Sequence, residues 1–149
     1  MTLAELTATL PNGFHDAELL SVHFDIVRRS LTLSVNLWVG SLANVSEEER
    51  EKYEGASITL RGVTHIIVDN MATTLTASDS GAMDIDGVPT SATILPSLPA
   101  LVRNPSDVQK FYSLYVYDWN SYIHLACAEA IIEWGAASDS VATNPGAAR

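Results

Sequence analysis

The tightest constraint on this chain lies between residues 20 and 39, where apolar and polar residues alternate with a period of two. Leu20, Val22, Phe24 and Ile26 alternate with Ser21, His23 and Asp25; Leu31, Leu33, Val35, Leu37 and Val39 alternate with Thr32, Ser34, Asn36 and Trp38. That period sends successive side chains to opposite faces, so it predicts half-buried strands and excludes a helix. The intervening "VRRS" lacks the Asn-Gly of a tight primed turn and predicts an antiparallel hairpin with a longer loop centred on Arg28 and Arg29. Matching the apolar faces pairs Ile26 with Leu31, Phe24 with Leu33, Val22 with Val35 and Leu20 with Leu37. His23 then stands opposite Ser34, and Asp25 opposite Thr32, on the polar face.

Residues 111 to 127 predict a second hairpin. A turn at Trp119 and Asn120 pairs Val116 with Ile123, Leu114 with Leu125 and Tyr112 with Cys127. The other face then carries Tyr115, Tyr117, Tyr122 and His124, which either lies under the irregular segment before it or forms a binding surface. Between the hairpins, "SEEEREKYEG" reads as a short helix capped by Ser46 and Glu49 and stopped by Gly55. "ASITLRG" and "VTHIIVDN" read as strand, with Ile58 and Leu60 on one face, Arg61 and His65 on the other, and a bend at Gly62. Residues 72 to 104, rich in Ser, Thr, Gly and Pro, read as mostly irregular with a short helical piece. "CAEAIIEW" reads as strand through Ile132, and the tail from residue 136 as loose. The expected fold is mainly β, with α+β as the alternative: an antiparallel sheet or small sandwich or barrel in one domain spanning residues 1–149.

A chain of 149 residues with 47% hydrophobic and 17% charged content can bury a core without metals or disulfides. Its formal net charge of −10 opposes nucleic acid and anionic membranes and favours a cationic protein partner. Cys127 stands alone and can close no bridge within the chain, and "MTLAELTATLPNG" has neither a basic nor a continuous apolar segment of a secretory signal. A cytoplasmic protein is expected. The Asn44-Val45-Ser46 triplet carries no weight without export.

Chemistry-bearing motifs are sparse. In "DSGAMDIDG", aligning Gly87 with the invariant glycine of a calcium loop puts Asp84 and Asp86 at ligand positions. It also puts Ala82 and Thr93 where acidic ligands are needed, so no metal is expected. No phosphate-binding glycine loop, cysteine-pair zinc site or nucleophile elbow occurs, and no cofactor is expected. "NGFHDAEL" sets His15 beside Asp16, an imidazole and a carboxylate of the kind used in acid–base chemistry. Adjacent side chains on extended backbone diverge, so the simpler expectation is a turn at Asn12-Gly13 that buries Phe14 while His15 or Asp16 bonds nearby backbone. His23, His65 and His124 all fall on polar faces and would join His15 and Asp16 in one site only if their strands were neighbours.

With "LPNGFHDAEL", the two hairpins and "YVYDWNSYIHLACAEA" in view, the chain resembles small, mainly β, uncharacterised bacterial proteins. Some with an FHDA-type N-terminal motif are similar to immunity proteins of toxin systems. The resemblance implies a non-enzymatic binder whose acidic surface could occlude a basic toxin. The first reading is therefore a protein-binding module using an acidic or Tyr-rich surface. The alternative is a small enzyme or ligand-binding domain using His15, Asp16 and the strand histidines.

Overall fold

A computed structural model of the chain describes residues 1–43, 46–70 and 82–135. The fold is mainly β, with every strand pair antiparallel in one eight-stranded sheet. The strands are β1 (Ala17–Asp25), β2 (Ser30–Trp38), β3 (Tyr53–Arg61), β4 (His65–Val68), β5 (Met83–Pro89), β6 (Phe111–Val116), β7 (Ser121–Ala126) and β8 (Glu129–Trp134). Their order is β4-β7-β6-β5-β1-β2-β3-β8.

The two ends of that order meet. Gly62 to Thr64 join β3 to β4, and Cys127 and Ala128 join β7 to β8. Across the corner Ala128 N–H donates to Arg61 O at 3.0 Å and Thr64 N–H to Ala126 O at 2.9 Å. The two bent strands therefore pair along their length and close the sheet into a barrel, in which β4 and β8 alone among the described strands keep a single neighbour. Gly62 makes the bend with φ of 61°, a conformation that costs little only without a Cβ.

The interior is apolar because alternate residues of the strands point into it: Leu31, Leu33, Val35 and Leu37 from β2, Ile58 and Leu60 from β3, Leu114 and Val116 from β6. One end is filled by helix α1 (Leu3–Thr9), whose Leu3 and Leu6 enter the same core. Thr2 and Glu5 cap it reciprocally, and Met1 O accepts from Ala130 N–H at 2.7 Å, tying the helix start to β8. Helix α2 (Glu47–Arg50) carries the expected Ser46 cap, but Gly55 lies inside β3 instead of stopping a helix. Of the segment expected to be mostly irregular, Met83–Pro89 is strand β5, and the short helical piece is α3 (Leu98–Leu101). Residues 72–81 and the tail from 136 lie outside the described residues.

Both hairpins form, each two residues away from the expected register. The second pairs Val116 with Ser121, Leu114 with Ile123 and Tyr112 with Leu125, because the turn is a four-residue unit, Tyr117 to Asn120, with Asn120 left-handed. A shift of two keeps every side chain on its expected face. The first pairs Phe24 with Leu31 and Val22 with Leu33, with His23 opposite Thr32 and Asp25 opposite Ser30. Its loop runs from Ile26 to Arg29, held by Arg28 N–H donating to Asp25 Oδ1 at 2.9 Å. An irregularity between Leu19 and Ser21 then sets Leu19, not Leu20, opposite Val35. β5 pairs with β1 only over Ala17 to Leu19, so beyond that point Val22 and Phe24 are 47% and 41% exposed instead of core. No helix among the described residues is long and apolar enough to cross a membrane.

The corner at Gly62 yields a direct test. A Cβ there would sit 2.9 Å from Ala128 Cβ on a strained backbone. Gly62→Ala is expected to destabilise by roughly 1–3 kcal/mol, read as a lower urea midpoint at unchanged slope.

Candidate functional site: an acidic cleft beside the N-terminal turn

"NGFHDAEL" forms a compact turn before β1. Gly13 and Asp16 both adopt positive φ, 62° and 52°, His15 N–H donates to Asn12 O, and Ala17 N–H to Phe14 O. Asn12 makes the backbone bonds expected of Asp16 or His15: its Nδ2 donates to Trp38 O and Gly40 O, each at 2.9 Å, pinning the turn to the end of β2. Phe14 enters the core. His15 and Asp16 are thereby turned outward, with side chains 57% and 58% exposed.

What they face is a concentration of carboxylates. His15 Nε2 lies 3.4 Å from Asp16 Oδ2, and its Nδ1 lies 3.5 Å from Asp86 Oδ2. The imidazole also sits edge-on to Trp38, with ring centres 6.0 Å apart. In β5, Ile85 points into the core, so Asp84 and Asp86 share the outer face, and the β1–β5 ladder places Asp84 directly opposite Glu18. Like charges facing each other across paired strands are unfavourable. Glu18 is partly satisfied by Asn36 Nδ2 at 2.7 Å, Asp118 accepts from Asp84 N–H at 3.3 Å, and Asp86 accepts from the Tyr117 hydroxyl at 3.3 Å. Asp16, Glu18 and Asp84 line a cavity of about 350 Å³ with Tyr53 and Tyr117.

The phenols register the field. Burial, then Asp16, Glu51, Glu18 and Asp84, push the Tyr53 hydroxyl above its ordinary ionisation range, while Asp86 is the main cause of the same shift at Tyr117. Among the described residues no group of three His, Cys, Asp or Glu side chains is placed to hold a metal ion.

The Tyr-rich face of the second hairpin leads into this cleft. Tyr115 and Tyr122 are cross-strand partners with ring centres 5.0 Å apart, Tyr117 lies edge-on to Tyr115, and Tyr122 stacks on His124. Only part of that face lies under the preceding segment: His124 is fully buried, whereas Tyr117 is 49% exposed.

His124 anchors a buried chain of hydrogen bonds. The Thr90 hydroxyl pairs with Ser113 Oγ, which lies 2.7 Å from His124 Nδ1, and His124 Nε2 lies 3.2 Å from Asp69 Oδ2. The sequence Ser–His–Asp is that of a nucleophilic relay. Ser113 and His124 are both completely inaccessible, however, so Ser113 Oγ is closed off from solvent in this structure. The chain is a clamp that satisfies buried polar groups where β6, β7 and the residue after β4 meet. The remaining histidines lie elsewhere: His23 is exposed on β1, and His65 packs against Phe111 with ring centres 5.3 Å apart. The five residues grouped in the sequence therefore divide among separate places, and only His15 and Asp16 share one.

Sequence reasoning missed Glu18 and Tyr53 as cleft residues and left Asp84 and Asp86 in a stretch expected to be mostly irregular. The alternation Asp84-Ile85-Asp86 was the available signal for a strand with an acidic outer face. It also missed α1, which the Thr2 and Glu5 capping box announces.

Two outcomes check this geometry. Ser113→Ala leaves the Thr90 hydroxyl and His124 Nδ1 without their partner and is expected to destabilise by about 1–3 kcal/mol in urea melts. Asp86→Asn is expected to bring the Tyr117 ionisation back toward lower pH, read as an earlier rise in phenolate absorbance that is absent from a Tyr117→Phe background.

No family model matches the chain, and no curated protein does. Among solved structures it is similar to an uncharacterized protein from Neisseria gonorrhoeae, at 12% identity over 80% of this chain and 91% of that one, with a TM-score of 0.37.

Proposed function

We propose that this protein is a non-enzymatic binding module whose acidic cleft receives a cationic side chain of a protein partner. The observation that carries the reading is the cavity in which Glu18 and Asp84 oppose one another between Tyr53 and Tyr117. Such an arrangement costs stability in the free protein and becomes favourable when a guanidinium or ammonium group neutralises it. Carboxylates with aromatic walls suit a cation in two ways, by charge and by the negative face of the ring. Among the described residues no Lys or Arg lines the cleft, and Lys52 is occupied by Glu54 at 2.7 Å.

The net charge of −10 extends the local preference over the whole surface and would steer a basic partner toward it. An immunity-type role, in which this face occludes a basic toxin, is one form of the same reading.

Calorimetry with a short oligo-arginine peptide tests it. Saturable binding that weakens with salt is expected, and Glu18→Gln combined with Asp84→Asn should reduce affinity by about tenfold or more, as removal of close charge partners does. Asp16→Asn should weaken binding while leaving the urea midpoint unchanged or slightly raised, because Asn also tolerates positive φ and one crowded charge is gone. Equal peptide affinity in the wild type and the double variant would overturn the proposal.

A further inference from the structure

A second cavity, of about 440 Å³, lies on the outer face of the barrel near the corner and shares no residue with the acidic cleft. Its apolar side comes from Phe111 and Ala126 on the sheet and Leu101 from α3. That side is firmly built, because Leu95 and Leu98 pack with Phe111 and Ala126 in a small core of their own, joined by Leu101. His65 stands against Phe111, and its Nδ1 lies 3.1 Å from Thr64 Oγ1, which orients the ring.

The rim has the opposite sign from the rest of the molecule. Arg103, Lys110 and Asp107 contribute to it. Asp107 is fully engaged, by Lys110 Nζ at 2.7 Å and by Asn104 N–H at 3.1 Å, and the lysine is the main reason its carboxyl ionises below the usual range. Lys110 and Asp107 cancel. The Arg103 guanidinium has no ion-pair partner among the described residues, so the rim keeps one surplus positive charge beside an apolar wall. In a chain with 18 acidic and 8 basic residues, few places favour an anion, and this one also offers enclosed apolar area.

We infer that this cavity binds a small organic monoanion, a carboxylate carried on an aromatic or aliphatic body. The body covers Phe111 and Leu101, and the carboxylate meets the Arg103 fork, whose planar donors match it bidentately. The cavity volume falls within the range of about 300–1,000 Å³ usual for small-molecule sites. One surplus charge matches a monoanion, and a site for a dianion would leave a negative charge unpaired.

The full chain titrated with 2-naphthoate by calorimetry, with 2-naphthalenemethanol as the uncharged control of the same shape, decides the matter. Saturable naphthoate binding is expected, at least about tenfold tighter than the alcohol, since a hydrogen-bonded charge pair distinguishes them. Arg103→Gln, an exposed position whose loss leaves the fold intact, should erase most of that preference. Ala100→Phe, which extends a ring from the cavity wall, should abolish binding of both compounds, while an unchanged far-ultraviolet spectrum verifies folding. No saturable naphthoate binding, equal affinity for the alcohol, or undiminished binding by Arg103→Gln would each overturn the inference.

Discussion

The structure depends on the continuity of hydrogen bonding through the corner at Gly62–Thr64 and Cys127–Ala128. Were the pairing of β3 with β8 and of β4 with β7, which the bonds from Ala128 to Arg61 and from Thr64 to Ala126 carry through the corner, absent, the sheet would have two open ends and an exposed core. With them, the interior closes around Leu33, Ile58 and Leu114, and α1 fills one end. A filled barrel leaves function to its outside. The two cavities described lie on that outer surface, the acidic cleft over β1, β3 and β5 beside the N-terminal turn, the other between α3 and the sheet.

The cleft and the buried histidine show two ways in which polar groups are handled on such a surface. His124 is enclosed with partners at both nitrogens, so a group that would be costly to bury alone becomes part of the packing. The cleft carboxylates remain accessible and incompletely paired, and Glu18 and Asp84 are held together by backbone pairing that has no regard for their charge. Ladder hydrogen bonds and the burial of Ala17, Leu19 and Ile85 hold that register. The electrostatic repulsion is carried as a cost that a cation could relieve.

The segment from Thr90 to Lys110 determines what the second hairpin presents. It supplies the hydroxyl that meets Ser113, the leucines that cover Phe111 and Ala126, and the cationic rim of the second cavity. Because it stops short of Tyr115 and Tyr117, those rings continue as a half-open aromatic strip to Asp86. One hairpin face thus contributes to a core at one end and to the wall of the acidic cleft at the other.

The sequence alone determined the strands of both hairpins, the faces of their side chains except at the irregularity near Leu20, the bend at Gly62, the Ser46 cap and the strong acidity. Each of these is carried by local chemistry: a period of two, a residue without a Cβ, a side chain beside its own backbone, a sum of charges. Only the tertiary structure decided the two-residue register shifts, the irregularity near Leu20, the exposure of Val22 and Phe24, and the strand between Met83 and Pro89. A shift of two preserves every face, so alternation cannot distinguish one register from the next. The meeting of Asp16, Glu18 and Asp84, like the union of Ser113 with His124 and Asp69, arises from pairing between strands distant in the chain. No local pattern encodes which strands become neighbours, because that choice is made by closing the barrel around a common core.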